Sequence, residues 1–290
     1  MSFERLQSLA ERYIEQIADV TAKPLPSLHV LRQEDVSAFE AVIYNPVICL
    51  ILRGRKETRI GTQSVSLGQG DALLVSHDLP VVAKITEASP QAPYLALILA
   101  LDIGIIRSLY EQVGEAVSEV ASAKSLAASV ADPTWLAPLE RYLKLMDNPL
   151  EAQVLGPLIL KEIHFQLLMS PIGGMLRNLL SVDSHASRIA KAILRIRASF
   201  REPLIVADLA ELAGMSQSSF HEHFKSVTGT TPLQYQKDLR MIEARNLLAS
   251  GARSVSVAGF EVGYESPTHF SRDYSRKFGC SPKHHLARAQ

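Results

Sequence analysis

Two polar runs set fifty positions apart carry the chemistry in this sequence. Ser218, His221, Glu222 and Lys225 recur at i, i+3, i+4 and i+7, which gathers them on one face of a helix. Thr268, Ser271, Arg272 and Ser275 repeat that spacing. Hydroxyl, imidazole, carboxylate and guanidinium groups on one exposed helix face are suited to hydrogen-bonding the edges of bases in a major groove.

A second, scattered set lies in the N-terminal half. Cys49 reads first as a small buried hydrophobe in the run Val47–Leu52. The sharper reading is an electrophile-sensing thiol, with Arg53, Arg55 and Lys56 close enough in sequence to lower its pKa. Arg53 and Lys56 also offer charge to an anionic effector, or else sit at a solvated strand end. His77 reads as a loop residue or an effector contact. No His-x-His pair with a supporting carboxylate is present. His221/His223 and His284/His285 lack the i, i+4 spacing of helical metal ligands. No metal, no cofactor and no catalytic residue is expected, and no Walker, dinucleotide or Ser/His/Asp signature occurs.

The polar runs need helices to present them, and the surrounding residues supply two similar units. Ala210, Ala213 and Gly214 match Gly259, Val262 and Gly263 at an offset of 49. Ser216, Phe220, Phe224, Gly229 and Pro232 match Ser266, Phe270, Tyr274, Gly279 and Pro282 at an offset of 50. In each copy a glycine ends one helix and a serine caps the next, with Pro267 at the favoured first helical position of the second. Each copy therefore reads as a helix-turn-helix. Leu233–Ala249, with its broad apolar arc, is expected to be a helix packed between them, long enough to set two recognition helices about one DNA turn apart.

Composition agrees with a nucleic-acid partner only when the chain is divided. Formal net charge over the 290 residues is zero. Residues 185–290 hold 15 Lys+Arg against 9 Asp+Glu, and residues 1–184 hold 15 against 21. A basic third on an acidic body suggests one domain for a polyanion and another for something else. Apolar residues make up 47%, enough for real cores. Two cysteines without short spacing argue against a disulfide framework. No signal-peptide core opens the chain, and the most apolar run, 94–106, is too short to span a bilayer. A cytoplasmic setting with no membrane partner is expected.

The N-terminal half opens with an amphipathic helix carrying Leu6, Leu9, Ala10, Tyr13, Ile14 and Ile17. From Ser27 to Leu101 the texture is β-rich, with Val47–Leu52, Ser64–Leu67, Ala72–Ser76 and Val81–Ile85 as strands, suggesting a sandwich or barrel. Ile103–Val120, Pro133–Met146 and Glu151–Met169 read as helices, and Ser181–Ser187 as a linker.

Residues Ile193–Leu286 resemble the AraC/XylS family of transcription regulators. The likeness rests on Leu209-Ala210, Phe224-Lys225, Leu239-Arg240, Ala244, Leu247-Leu248, Val262-Gly263-Tyr264 and Phe278-Gly279 together with the repeated residues above. It implies two helix-turn-helix subdomains joined by a long helix, binding to double-stranded promoter DNA, and activation through RNA polymerase. By position it assigns base contacts to Ser218, His221, Glu222, Thr268, Ser271 and Arg272, and phosphate contacts to Lys225, Arg276 and Lys277. Arg272 leads, because guanidinium pairs bidentately with guanine. Glu222 departs from the family's basic or amide residue and is expected to weaken the first unit. Gly259 replaces the usual alanine inside a helix, at a cost of about 1 kcal/mol. Asn45-Pro46, Arg53-Gly54-Arg55-Lys56, Gly70-Asp71 and Ser76-His77-Asp78-Leu79-Pro80 resemble the cupin-like sensor of one branch of the family. That implies a small β-barrel able to hold an effector, then helices able to form a homodimer.

The fold class expected is thus α+β in two domains: 1–184, a cupin-like β-barrel with flanking helices, and 185–290, an all-α DNA-binding domain. The function expected is a non-enzymatic transcription regulator answering a small-molecule effector. The alternative is an effector-independent regulator whose N-terminal domain only dimerises. A fused alkyl-transfer enzyme would need a reactive cysteine cluster that two lone cysteines do not provide.

Overall fold

A computed structural model of the chain describes residues 3–17, 24–61, 63–113, 124–181, 184–251 and 253–284. It opens with α1 (Phe3–Ile17), which buries Leu6, Leu9, Ala10 and Tyr13. Nine described strands follow: β1 (Leu28–Gln33), β2 (Glu40–Tyr44), β3 (Val47–Arg53), β4 (Arg55–Ile60), β5 (Gln63–Leu67), β6 (Asp71–Val75), β7 (Leu79–Glu87), β8 (Tyr94–Ala100) and, after a helix, β9 (Leu126–Val130). All pairings are antiparallel. One sheet runs β1-β8-β3-β6-β9 and the other β2-β7-β4-β5.

The expected barrel does not close. Among the described strands, β1 and β2 are sheet edges that do not pair with each other. The sheets instead stack as a sandwich, and the two-residue alternation along each strand divides two cores. Ile48, Leu50, Leu52, Leu95, Leu97 and Leu99 face the helices. Cys49, Ile51, Tyr94, Ala96 and, from the facing sheet, Val81 and Ile85 fill the space between the sheets. β3 and β8 are covered on both faces, so their residues read as unbroken apolar runs rather than alternating ones. The 94–106 run is mostly β8, a central strand of its sheet.

The helices α2 (Ile103–Val113), α3 (Pro133–Lys144), α4 (Pro149–Met169) and α5 (Gly174–Leu180) cover the outer face of the five-stranded sheet. Asp132 caps α3 by accepting from the Thr134 amide, and Asn148 caps α4. The expected extension of α2 to Val120 lies outside the described residues. The expected linker is shorter than Ser181–Ser187, because Ser184 accepts from the Ser187 amide and starts α6 (His185–Ala198).

Five more helices follow among the described residues: α7 (Val206–Leu212), α8 (Gln217–Thr228), α9 (Pro232–Ala249), α10 (Val255–Glu261) and α11 (Pro267–Phe278). Phe220, Phe224 and Tyr235 pack with α6 and α7 in one core. Phe270 and Tyr274 pack with Met241, Leu248, Ala258 and Val262 in another. Gly259 has a packing reason the sequence did not show. A Cβ there would sit 3.0 Å from the Phe270 ring, so glycine admits α11 closely to α10.

Candidate DNA-reading faces and sensor cavity

Each candidate reading helix is built by the same local chemistry. Gly214 (φ +62°) and Gly263 (φ +86°) make the turns in the left-handed conformation that penalises other residues. Ser216 caps α8 by accepting from the Ser219 amide, and Ser266 caps α11 by accepting from the His269 amide. Phe220 and Phe224, and their counterparts Phe270 and Tyr274, are wholly buried. This fixes which face turns outward. Ser218, His221, Glu222 and Lys225 are exposed on α8; Thr268 and Arg272 are exposed on α11, with Ser271 half-buried.

The phosphate candidates on α11 sit differently from Lys225. The Lys277 ammonium is 2.7 Å from the Asp238 carboxylate on α9, and its side chain is only 20% exposed. Arg276 pairs with Asp273 at 3.0 Å. Both line a cleft whose far wall is Phe39, Arg59 and Pro80 of the sandwich. In this arrangement Lys277 is already engaged, and contact with a phosphate requires it to leave Asp238.

Arg240 ties the two units together. It donates to the carbonyls of Phe200, Arg201, Glu202 and Gly263 over 2.7–3.1 Å, linking the segment after α6 to the turn of the second unit. Arg240 is among the residues that carry the family likeness, and its role as a tie is set by distant carbonyls. The available signal was a cation inside the apolar arc of α9.

The sandwich grips the first unit. The Ser125 amide donates to the Val227 carbonyl at the end of α8. Gly61 abuts Gly229, the α8 C-cap, so closely that a Cβ on Gly61 would fall 2.0 Å from the Gly229 carbonyl oxygen. Arg197 of α6 pairs with Asp78 and donates to Asn45 Oδ1 at 3.3 Å. The Tyr235 hydroxyl donates to the Asp78 carbonyl at 2.6 Å. None of these partnerships is visible in local spacing, since they join residues more than a hundred positions apart.

His77 is a buried member of this junction rather than a loop residue in solvent. Its Nδ1 lies 2.8 Å from Ser76 Oγ and its Nε2 3.3 Å from the Ala186 carbonyl. A carbonyl only accepts, so Nε2 carries the proton and Nδ1 accepts from the serine. Burial pushes its pKa down to about 4, outweighing the Ala186 hydrogen bond and the Asp78 charge that pull it up.

The remaining sensor candidates separate. Arg53 turns outward, donating to Glu11 at 2.6 Å and to the Pro93 carbonyl at 2.8 Å. Arg55 pairs with Glu87 at the surface. Cys49 and Lys56 point between the sheets. Burial pushes the Cys49 thiol up, and the nearby Lys56 charge only partly offsets this. The activated thiolate expected from the neighbouring cations is therefore not what the fold builds. Arg53 and Arg55 are turned elsewhere, and desolvation outweighs Lys56.

The comparisons with known proteins follow this division. The family description "AraC-type transcriptional regulator N-terminus" matches residues 24–175, and "Helix-turn-helix domain" matches residues 209–288. The chain is 21% identical over 266 residues to the virulence regulon transcriptional activator VirF of Yersinia enterocolitica, covering 89% of this chain and 96% of the relative. It is 35% identical over 97 residues to the HTH-type transcriptional regulator AlkR of Acinetobacter baylyi, covering 33% of this chain and 32% of the relative. Wild-type ToxT of Vibrio cholerae, solved with bound unsaturated fatty acid, shares the fold. Its TM-score is 0.57 at 13% identity, over 90% of this chain and 93% of that one. Among the described residues no helix is long and apolar enough to cross a membrane. The two family descriptions fall in turn on the sandwich with its helices and on the paired helix-turn-helix units, and the chain belongs to the AraC-type DNA-binding transcriptional regulators.

Proposed function

We propose that this chain is a cytoplasmic, non-enzymatic, effector-responsive activator that dimerises through its N-terminal domain and contacts RNA polymerase at its promoters. The division between sensor and DNA-binding domains falls at 184/185. The observation that carries the reading is the pair of capped helices, each holding a polar face outward over a buried aromatic pair.

The base contacts are Ser218, His221 and Glu222 from α8 and Thr268, Ser271 and Arg272 from α11. Lys225 and Arg276 contact phosphate, and Lys277 joins them on release from Asp238. The 18 residues of α9 span about 27 Å, so two successive major-groove faces about 34 Å apart are within reach of one chain. Binding to a promoter fragment should weaken with salt, with a log–log slope of about −0.9 per phosphate contacted. Arg272→Ala should cost about 1–3 kcal/mol at the cognate site and relax preference at one base position. Equal loss on every sequence would reassign Arg272 to the backbone. Mapping bound sites across the genome, with and without candidate metabolites, tests the regulator reading. Occupancy that no metabolite changes would favour the effector-independent alternative.

β2 is the element that couples effector to DNA. Val42 and Tyr44 line a cavity between the sheets, whereas Ile43 also packs against the core of the first DNA-binding unit. Asn45 and Asp78, at the ends of the β2–β7 pair, hold Arg197. A ligand that shifts β2 therefore acts on the junction directly.

Dimerisation is assigned to α4. One side of it buries Ile163, Leu167 and Leu168. Leu150, Val154 and Leu158, at i, i+4 and i+8, are 69%, 58% and 63% exposed. Such a stripe is suited to a partner helix. Val154→Asp with Leu158→Asp should convert dimer to monomer in sedimentation while leaving the melting temperature nearly unchanged. An unchanged sedimentation coefficient would remove α4 from the interface.

A further inference from the structure

We infer that the cavity between the two sheets is an anion site centred on Lys56, and that its ligand is a small monocarboxylate with a short apolar tail. This rests on reading the sandwich as a small-molecule sensor, and it adds the chemical class of the ligand.

The cavity has a volume of about 270 Å3 and opens between the unpaired edges of β1 and β2. Failure of the barrel to close thus leaves a mouth. Lys56 lies on the inward face of β4 and is 8% exposed. A lysine this buried ordinarily has a carboxylate partner. Here the ammonium sits 5.1 Å from the centroid of the Tyr44 ring and within hydrogen-bonding reach of its hydroxyl, and the groups that act on it electrostatically are Tyr44 and Cys49. Among the described residues no carboxylate pairs with it. Glu57 is engaged by Arg59 and Lys84. One phenol oxygen and a ring face leave N–H bonds of the ammonium without an acceptor.

Two hydroxyls behind the cavity wall have a similar deficit. Those of Tyr94 and Thr58 are buried without a hydrogen-bond partner, while that of Tyr44 is within reach of the Lys56 ammonium. Tyr44 and Tyr94 lie within electrostatic reach of each other, and Thr58 shares the inward face of β4 with Lys56. Buried donors gathered without an acceptor are unfavourable unless something accepts from them. A carboxylate can accept from the ammonium and from a tyrosine hydroxyl together. The neutral Cys49 thiol adds no competing negative charge. Leu31, Val42 and Ile98 give part of the wall an apolar surface, which suits a hydrocarbon tail, while Gln33, Glu40 and Lys84 line the rest. The volume lies just below the usual range for drug-sized ligands, so the tail is short.

The test uses the full-length chain with hexanoate, its neutral isostere hexanamide, and inorganic phosphate, read by thermal shift and calorimetry. Hexanoate should raise the melting temperature by several degrees, with little effect from the other two. Lys56→Met should lose at least tenfold in hexanoate affinity without a lower melting temperature of its own, since it removes a buried charge. Tyr44→Phe, which keeps the ring and lines the cavity, should weaken hexanoate several-fold and keeps the test decisive if Lys56→Met misfolds. Equal shifts from hexanoate and hexanamide would overturn the anion assignment while leaving a sensor cavity in place. Undiminished hexanoate binding by Lys56→Met, a phosphate shift matching that of hexanoate, or no shift from any probe would overturn it outright. The sensor reading is then decided separately by promoter occupancy.

Discussion

Replacing Phe270 with alanine should destabilise the second helix-turn-helix unit by about 3–5 kcal/mol and abolish high-affinity promoter binding. The ring is wholly buried, packed edge-on against Tyr264 and beside Tyr274, with Gly259 beneath it. Gly259 carries no side chain that could lean into the space the ring leaves, so truncation opens a cavity against α10. The two cores share no fully buried residue, and Phe200 is the one half-buried side chain that packs against both. Loss should therefore be local. Hydrogen exchange should speed up across α10 and α11, with α7 and α8 still protected. Uniform loss of protection over residues 185–284 would show that the two units fold as one.

Acidification should loosen the junction through His77. Its folded pKa of about 4 lies below the ordinary 6.5, because burial disfavours the imidazolium. Above pH 6.5 both folded and unfolded chains hold it neutral, and its contribution to stability is complete. Between 6.5 and 4 the unfolded chain binds the proton and the folded chain does not, so stability falls with pH. The loss reaches about 3 kcal/mol near pH 4. His77→Gln keeps a donor for the Ala186 carbonyl and does not titrate. His164 is also buried and shifted downward, and it contributes in both proteins. The melting temperature should fall between pH 7 and pH 4.5 by several degrees more in the natural protein than in the variant. Parallel falls would remove His77 as the source.

The helix-turn-helix units were legible because their determinants are local. A capping serine, a left-handed glycine and an aromatic three or four residues on act within one turn, so Ser216, Gly263 and Phe270 announce their roles by spacing. The polar faces followed, since burial of Phe220 and Phe224 leaves Ser218 and His221 no other side. The strands were harder. β1, β2, β4, β8 and β9 carry no strong alternation of their own, and their limits are fixed by partners far along the chain. β9 is separated from the rest by a helix and joins the sheet edge only through pairing with β6.

The charged residues show where local reasoning ends. Arg53, Arg55 and Lys56 are nearly consecutive, yet one meets α1, one the surface and one the interior. Strand alternation and the register irregularities beside Arg53 and Arg55 part them. Lys277 reads as a free cation until α9 brings Asp238 beside it.

What the residues by themselves determined was the repeated DNA-binding unit, its caps, its outward faces and the presence of a β-rich partner domain. These rest on interactions within a few positions of the chain. Only the tertiary structure decided that the sheets stay open, that Lys56 lies buried without a carboxylate, and that His77, Asp78 and Arg197 join the two halves. Those outcomes depend on which distant groups arrive at the same place, and desolvation there outweighs what neighbours in sequence suggest.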